Sequence, residues 1–297
     1  MTTELHGVLT ALTTPFNQDE SIDVPTLRKV VDRSIDAGVN GVVAAGSTGE
    51  VGSLSSDERL LLVDTIIEQT AGRVPVVAQT GATTTAEAIR LSQAAQRSGA
   101  DVLMLLTPFY EPLSEAETVS YIKDVAGSVD IPVMLYNIPP VTGVNLAPDT
   151  VRALATEIDN IRYIKDSSAN WEQALTLIHD HSDVIGTIVG WDVYTYSALA
   201  EGAVAVMAGA ANVVPDEIVT VTRLIAEGDL STALAEWKRV YPVISHLFAT
   251  GFIPGIKAGL ELQGIPVGLA RRPLAPLAPE DVEGLRALLT ALGKEVV

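Results

Sequence analysis

The stretch "VPVVAQTGATTTAEAIRLSQAAQRSGADVLMLLT" (74–107) contains one complete strand–helix–strand unit. Its two ends, 74–80 and 101–107, are short apolar runs without polar alternation, which is typical of strands buried on both faces of a parallel sheet. Between them, residues 84–99 carry apolar side chains at helical spacing and stop at Gly99, a residue that commonly closes a helix. The stretch therefore predicts an α/β fold with parallel strands.

The same alternation continues along most of the chain. Six further apolar runs occupy 7–13, 41–46, 131–137, 161–167, 184–190 and 203–209. A second amphipathic segment, 55–70, begins with serines followed by two acidic residues, as helix N-termini do. Eight strands, each followed by a helix, predict a closed (β/α)8 TIM barrel. An open, doubly wound sheet is the alternative, because alternation alone does not demonstrate closure.

The C-terminal region has a different pattern. From about residue 214 onward it is helical, with proline and glycine breaks at 251–255 and 264–279. This is more chain than one last barrel helix requires. We expect the barrel strands and helices in 1–213, and the last barrel helix with a C-terminal helical extension in 214–297.

Composition excludes several classes of protein. The 297 residues are 47% apolar, enough for a sizeable core, and carry a formal net charge of −18, which argues against nucleic acid or an anionic membrane as a partner. There is no cysteine, and no apolar run approaches the roughly 18 to 20 residues of a membrane span. We expect a cytoplasmic enzyme or binding protein.

The four histidines have no ligand-like spacing near the strand ends. We expect them to be surface or packing residues, and we expect neither a metal site nor a cofactor. They are His6, His179, His181 and His246.

Reactive side chains gather at the predicted strand ends, where barrel enzymes carry their chemistry. The second strand ends in "GSTGE" (46–50), the fourth in "TPFY" (107–110), the fifth in "YNIPP" (136–140), the sixth at Lys165 and the seventh in "GWD" (190–192). Lys165, Tyr136, Tyr110 and Ser47 are therefore predicted to face one barrel mouth. The other five lysines lie in polar or helical contexts, and we expect them on solvated faces.

This set of residues is suited to imine chemistry. An amine in an apolar barrel mouth loses water, which favours the uncharged form that attacks a ketone. A protonated imine is an electron sink, so a proton or a carbon can leave the adjacent position. Tyr136 is suited to shuttle that proton, because a phenol both donates and accepts hydrogen bonds. The amides of Ser47 and Thr48, between two glycines, predict a small nest for a carboxylate, and the Ser47 hydroxyl is predicted to join the proton relay.

In order and spacing, "GSTGE", "TPFY", "YNIPP" and "IKDSS" resemble the dihydrodipicolinate synthase/N-acetylneuraminate lyase family, and the resemblance extends from "ALTTPF" (11–16) to "RRPLAPL" (271–277). Members are lysine Schiff-base (class I) pyruvate aldolases on a (β/α)8 barrel. The resemblance implies that Lys165 forms the imine with pyruvate, Tyr136 shuttles protons and Met207 packs over the pyruvyl group. It implies that Ser47 links Tyr136 to Tyr110 of a neighbouring subunit, in a homotetramer built as a dimer of dimers.

The departures from the family pattern concern the second substrate. In the synthase branch an arginine five residues after the shuttle tyrosine binds the carboxylate of aspartate semialdehyde, and here that position is Val141. Matches to the sialic-acid lyase branch are also incomplete, at Val193 and Gly209. "YNIPPVTG" and "IKDSS", including Asp166, resemble the aldolases of 2-keto-3-deoxy sugar acids and of 4-hydroxy-2-oxoglutarate. We therefore expect an aldolase that uses pyruvate and a small aldehyde, or cleaves a short keto-deoxy acid; a synthase, a sialic-acid lyase and a dehydratase remain alternatives.

The pocket beyond the imine is expected to select that aldehyde. Asp192 is its one charged side chain, so we expect glyceraldehyde-like partners to be accepted and aspartate semialdehyde to be handled poorly. Its predicted lining comprises Val141, Ser167, Gly190, Asp192, Val193 and Gly209.

Two hypotheses come from other classes. A non-enzymatic sugar-acid binder has no use for an imine-forming lysine. A barrel enzyme for a phosphorylated substrate would need glycine-dense or basic loops after strands seven and eight, and "GWDVY" and "AGAANVVP" lack them. Trapping a pyruvate adduct with borohydride distinguishes both from an aldolase.

Overall fold

A computed structural model describes residues 4–297 and contains a closed eight-stranded barrel. All neighbouring strands are parallel, and the last strand pairs with the first, so the open-sheet alternative is excluded. The strands are β1 (Gly7–Ala11), β2 (Gly41–Ala44), β3 (Val76–Gln79), β4 (Val102–Leu106), β5 (Val133–Asn137), β6 (Ile161–Asp166), β7 (Gly186–Val189) and β8 (Ala205–Ala208).

Helices follow the strands in the predicted order. Those of the barrel are α1 (Val24–Asp36), α2 (Ser56–Thr70), α3 (Thr85–Ser98), α4 (Glu115–Ala126), the single turn α5 (Pro139–Thr142), α6 (Pro148–Glu157), α7 (Trp171–Asp180), α8 (Thr195–Ala200) and α9 (Pro215–Ala226). Three more complete the chain: α10 (Leu230–Thr250), α11 (Phe252–Glu261) and α12 (Pro279–Ala291). None of the helices within residues 4–297 has the length and apolarity needed to cross a membrane.

The ends of α2 and α3 confirm the signals in the sequence. Ser55 accepts from the Glu58 amide while the Glu58 carboxylate accepts from the Ser55 amide, which satisfies two donors at the start of α2. Gly99 ends α3 with φ of 99°, a left-handed conformation that glycine adopts without strain. Most of the apolar runs that predicted the strands extend one or two residues past the strand, because their last residues turn into the loops of the barrel mouth.

Two layers of apolar side chains result from strand alternation. One layer lies between strands and helices, and the other fills the barrel, where it includes Met134, Tyr136, Tyr163 and Met207. Tyr163 and Lys165 are two residues apart on β6, so Lys165 also faces the interior. The apolar interior thus ends, towards the barrel mouth, in polar groups.

The C-terminal helices pack on one another and on the barrel, with α10 contacting α8 and α9. They correct one expectation, because Lys257 on α11 is not solvated: the residue is only 2% exposed. Its ammonium donates to the Thr14 carbonyl at 2.7 Å and to the Leu269 carbonyl at 3.2 Å, and lies 3.3 Å from the Glu50 carboxylate. Thr14 and Glu50 are distant from Lys257 in sequence, so helical context alone could not reveal the burial.

Candidate active site

Lys165 and Tyr136 lie side by side inside the barrel mouth. They are partners in the β5–β6 register, and the Lys165 Nζ is 4.0 Å from the centroid of the Tyr136 ring. Both residues are buried, at 5% and 2% exposure. The phenol is therefore within reach of chemistry at the amine.

Ser47 extends this pair. Its Oγ is 3.2 Å from the Tyr136 hydroxyl, and either atom can donate. Thr48, the next residue, is buried at the same mouth. The structure brings Lys165, Tyr136, Ser47 and Thr48 together, as the sequence predicts.

These residues line a cavity of about 330 Å³. That volume lies at the lower end of the range for small-molecule sites, about 300–1,000 Å³. Its walls are mostly carbon, and they comprise Ala11, Ser47, Thr48, Tyr136, Ile138, Lys165, Ser167, Gly190, Trp191, Asp192, Met207, Gly209, Phe248, Phe252 and Ile253. Nine of the predicted site residues are in this set.

Tyr110, Val141 and Val193 are not part of this wall. Tyr110 is 89% exposed and has φ of 85°, which is uncommon for a bulky residue, and Val141 is 56% exposed on α5. Tyr110 lies on the loop after β4, and α5 follows β5, so both residues are at the same barrel mouth. Neither Tyr110 nor Val141 contributes to the cavity surface.

Two glycines give the cavity its shape. A Cβ at Gly190 would overlap the Lys165 Cε and the Ser167 Oγ, so only glycine leaves room for the lysine. A Cβ at Gly209 would lie 2.6 Å from the Phe252 ring. The two positions therefore act by allowing close packing.

Asp192 is the acidic residue of the cavity wall. It is 4% exposed and accepts a 2.7 Å hydrogen bond from the Ala210 amide. Burial raises the pKa of its carboxyl to about 6, although the hydrogen bond from the Ala210 amide and the positive charge of Lys165 oppose this rise. The neighbouring Ser167 hydroxyl donates to the Gly190 carbonyl at 3.1 Å.

The Asp166 side chain lies outside the barrel interior and supports the site through hydrogen bonds. It accepts from Asn137 at 2.9 Å, from Gln173 at 3.1 Å and from Ser168 at 2.8 Å. Burial raises the pKa of its carboxyl, although these donors oppose the rise. Since Asn137 and Asp166 directly follow Tyr136 and Lys165, their hydrogen bond fixes the ends of both strands.

A buried charge cluster supports the loop 46–50 from below. The Glu50 carboxylate accepts from the Arg271 amide at 2.9 Å and pairs with Lys257, while the Thr14 hydroxyl donates to the Gly49 carbonyl at 2.7 Å. Burial lowers the pKa of the Lys257 ammonium, and the Glu50 charge opposes this effect. Glu50 itself is left-handed, with φ of 62°. The cluster thus connects the predicted carboxylate nest to α11.

Sequence reasoning missed the far wall of the cavity. Trp191 directly precedes Asp192, whereas Phe248, Phe252 and Ile253 come from α10 and α11. The segment "LFATGFIP" (247–254) carried the only signal, an apolar cluster around the glycine break. Nothing local indicated that this break would bring the rings to the barrel mouth.

Of the cavities found in residues 4–297, the strand-end residues Lys165, Tyr136 and Ser47 line only this one. These residues contain no cluster of three or more histidine, aspartate or glutamate side chains that could hold a metal. A larger open cavity of about 910 Å³ lies between residues 16–20, α11 and the C-terminal segment. None of the strand-end residues Lys165, Tyr136 and Ser47 reaches it.

Known proteins share the sequence pattern and the barrel fold of this chain. A sequence model of the dihydrodipicolinate synthetase family matches residues 4–292. A 4-hydroxy-tetrahydrodipicolinate synthase of Thermomicrobium roseum is 38% identical over 288 residues, covering 97% of this chain and 94% of the relative.

Two solved structures, both complexes with pyruvate, have the same fold. A dihydrodipicolinate synthase of Acinetobacter baumannii is 32% identical with a TM-score of 0.93, covering 97% of this chain and 99% of the other. The prophage protein YagE of Escherichia coli K12 is 31% identical with a TM-score of 0.93, covering 98% and 99%.

Proposed function

The chain belongs to the dihydrodipicolinate synthetase family, whose members are carbon–carbon lyases that form a Schiff base with pyruvate, and we propose the roles of its residues and its substrate class from that premise. Lys165 is the nucleophile, Tyr136 the proton shuttle, and Ser47 the next member of the relay. The observation that carries these assignments is the contact of Lys165 Nζ, Tyr136 and Ser47 Oγ in one buried cavity.

The first step joins pyruvate to Lys165. The amine attacks the ketone carbon, the oxygen leaves as water, and the Ser47 and Thr48 amides hold the carboxylate. Tyr136 then removes a proton from the pyruvate methyl group to give the enamine. Met207 packs over the pyruvyl group.

The second substrate is an aldehyde that the enamine attacks, so the product is a 4-hydroxy-2-oxo acid of the 2-keto-3-deoxy type. Among the described residues, Lys165 is the only basic side chain that lines the cavity. Val141 offers no donor at the position where a carboxylate-binding arginine is expected. A terminal carboxylate would lack a charge-assisted hydrogen bond worth about 1.5–3 kcal/mol. This favours an uncharged aldehyde.

A second candidate is 4-hydroxy-tetrahydrodipicolinate synthase activity. The names of the curated relatives favour it, including that of the Thermomicrobium roseum protein. It requires that the site bind aspartate semialdehyde without an arginine at position 141.

We also propose that Tyr110 enters the cavity of a neighbouring subunit, in a dimer of dimers. Its exposure of 89% and its left-handed backbone support this role, because an isolated subunit offers that ring no packing. Sedimentation at assay concentration tests it: a fully active monomer contradicts the proposal.

Trapping tests the imine. Pyruvate with borohydride should add one reduced pyruvyl group, which intact mass detects and peptide mapping locates at Lys165. Lys165→Ala should lose the adduct, whereas the control Lys123→Ala, a lysine 39% exposed on α4, should retain it. An adduct on Lys165→Ala rejects the assignment.

Aldehyde selection separates the two candidates. The kcat/KM of condensation with aspartate semialdehyde should be low in the unmodified enzyme and should rise in Val141→Arg. If the unmodified enzyme prefers aspartate semialdehyde over uncharged aldehydes, the synthase candidate is correct.

A further inference from the structure

We propose that the tail of the aldehyde is uncharged and apolar, with a planar aromatic ring as its best form, and that it packs on an aromatic wall formed by Trp191, Phe248 and Phe252. This inference rests on the proposed function, because it concerns the group attached to the aldehyde carbon. It differs from the sequence expectation of a glyceraldehyde-like partner.

The aromatic wall is a continuous row of rings. The centroids of Trp191 and Phe248 are 5.3 Å apart with planes at 50°, and those of Phe248 and Phe252 are 4.5 Å apart at 51°. Tilted arrangements at this spacing are those that aromatic rings prefer, so a further ring can join the row.

The wall faces the cavity. Leu247 on α10 and Ile256 on α11 are completely buried. All three wall rings, in contrast, remain partly exposed and line the cavity. Ile138 and Ile253 continue the apolar surface. Binding is favoured when an apolar group covers apolar surface that is otherwise in contact with water inside a cavity.

Apart from the groups proposed to serve pyruvate and the proton relay, the cavity has few polar partners for a hydroxylated tail. The Ser167 hydroxyl donates to Gly190, and one Asp192 oxygen accepts from Ala210. These groups suffice for the single hydroxyl that forms at the reacting carbon. Additional hydroxyls would lie against carbon without hydrogen bonds, which costs affinity.

A charged tail fits no better. Lys165 is consumed by the imine, and Asp192 would repel a carboxylate. The polar groups Lys165, Ser167 and Asp192 are taken by the reacting carbonyl groups, which leaves the apolar part of the 330 Å³ cavity for the tail.

The bonds formed and broken in the condensation are the same for any such tail. The enamine carbon of pyruvate forms a bond to the aldehyde carbon, the aldehyde C=O π bond breaks, and its oxygen takes the proton from Tyr136. Water then hydrolyses the imine and frees Lys165. Pyruvate and one aldehyde thus give one 4-hydroxy-2-oxo acid.

The test compares pyruvate condensation with benzaldehyde, butanal, glyceraldehyde and succinic semialdehyde on the unmodified enzyme. We expect kcat/KM for benzaldehyde to exceed that for glyceraldehyde and for succinic semialdehyde by about tenfold or more, with butanal between, since hydrophobic pockets discriminate by about 10- to 200-fold. A higher value for glyceraldehyde or succinic semialdehyde overturns the inference. Borohydride trapping with pyruvate alone separates this result from a failure of the proposed function, because the adduct does not depend on the aldehyde.

Variants assign the effect to the wall. Trp191→Leu and Phe252→Leu should each lower kcat/KM for benzaldehyde about tenfold. The pyruvate concentration that gives half-maximal trapping should stay within about threefold of the value for the unmodified enzyme. The control Trp171→Leu removes a ring whose centroid is 5.1 Å from that of Tyr194 but which does not line the cavity, and it should affect all four aldehydes equally. An equal loss for all aldehydes in the wall variants would mean that the rings are structural, and it overturns the inference even if benzaldehyde is preferred.

Discussion

Replacing Lys257 with methionine should destabilise the protein strongly, although the residue is far from the reacting atoms in sequence. The methionine retains most of the apolar volume but removes a charge that Glu50, Thr14 and Leu269 share. Glu50 is only 4% exposed and would keep a single hydrogen bond, from the Arg271 amide. Breaking a buried pair in this way costs about 3–5 kcal/mol, because the remaining charge is uncompensated.

Urea denaturation followed by circular dichroism measures this cost, and a fall in Tm of about 5–8 °C should accompany it. Lys123→Met is the matched control. Lys123 pairs with Glu157 at 2.6 Å in solvent, so its loss should cost less than about 1 kcal/mol.

A double variant, Lys257→Met with Glu50→Gln, removes the uncompensated carboxylate. Its cost should be smaller than the sum of the single costs by about 1–3 kcal/mol. Because the cluster holds the loop 46–50, half-saturation by pyruvate should also rise in Lys257→Met. If the free energy of unfolding of Lys257→Met is within 1 kcal/mol of that of the unmodified protein, the reasoning is refuted.

Three further results are expected. Tyr136→Phe should lower kcat by about 10² to 10⁴, since the ring remains but the shuttle is lost; a change of only a few-fold would make Tyr136 structural. Gly190→Ala should displace the Lys165 side chain and lower kcat about 100-fold in steady-state assays, at a stability cost of about 1–3 kcal/mol; near-normal turnover would contradict the close packing. Asp192 should make stability fall as pH rises from about 4 to 6, by about 3 kcal/mol, because the unfolded chain loses this proton near 3.8 and the folded protein only near 6. Denaturation across this pH range should show a flatter profile for Asp192→Asn, and an unchanged slope would exclude Asp192 as the cause.

The fold could be predicted from the sequence because each element carries its own local signal. Uninterrupted apolar runs marked all eight strands, and Ser55 and Gly99 marked helix ends to within one residue. Closure required the pairing of β8 with β1, which no local pattern encodes.

The cavity could be predicted only in part. Strand ends located Lys165, Tyr136 and Ser47, because a barrel brings all its strand ends to one mouth. Phe248 and Phe252 were missed because their position depends on how α10 and α11 pack. Lys257 was assigned to a solvated face because its partners, Thr14 and Glu50, are more than 200 residues away in sequence.

The origin of the aromatic wall has an evolutionary consequence. The proposed reacting groups come from β5, β6 and the loop after β2, whereas two of the three wall rings come from the junction between α10 and α11, near Gly251. Mutations in that short segment can therefore redirect a lineage towards new aldehydes while the imine-forming machinery is inherited intact. Lys257 limits this freedom, because the same helix must retain the ammonium that anchors the loop 46–50.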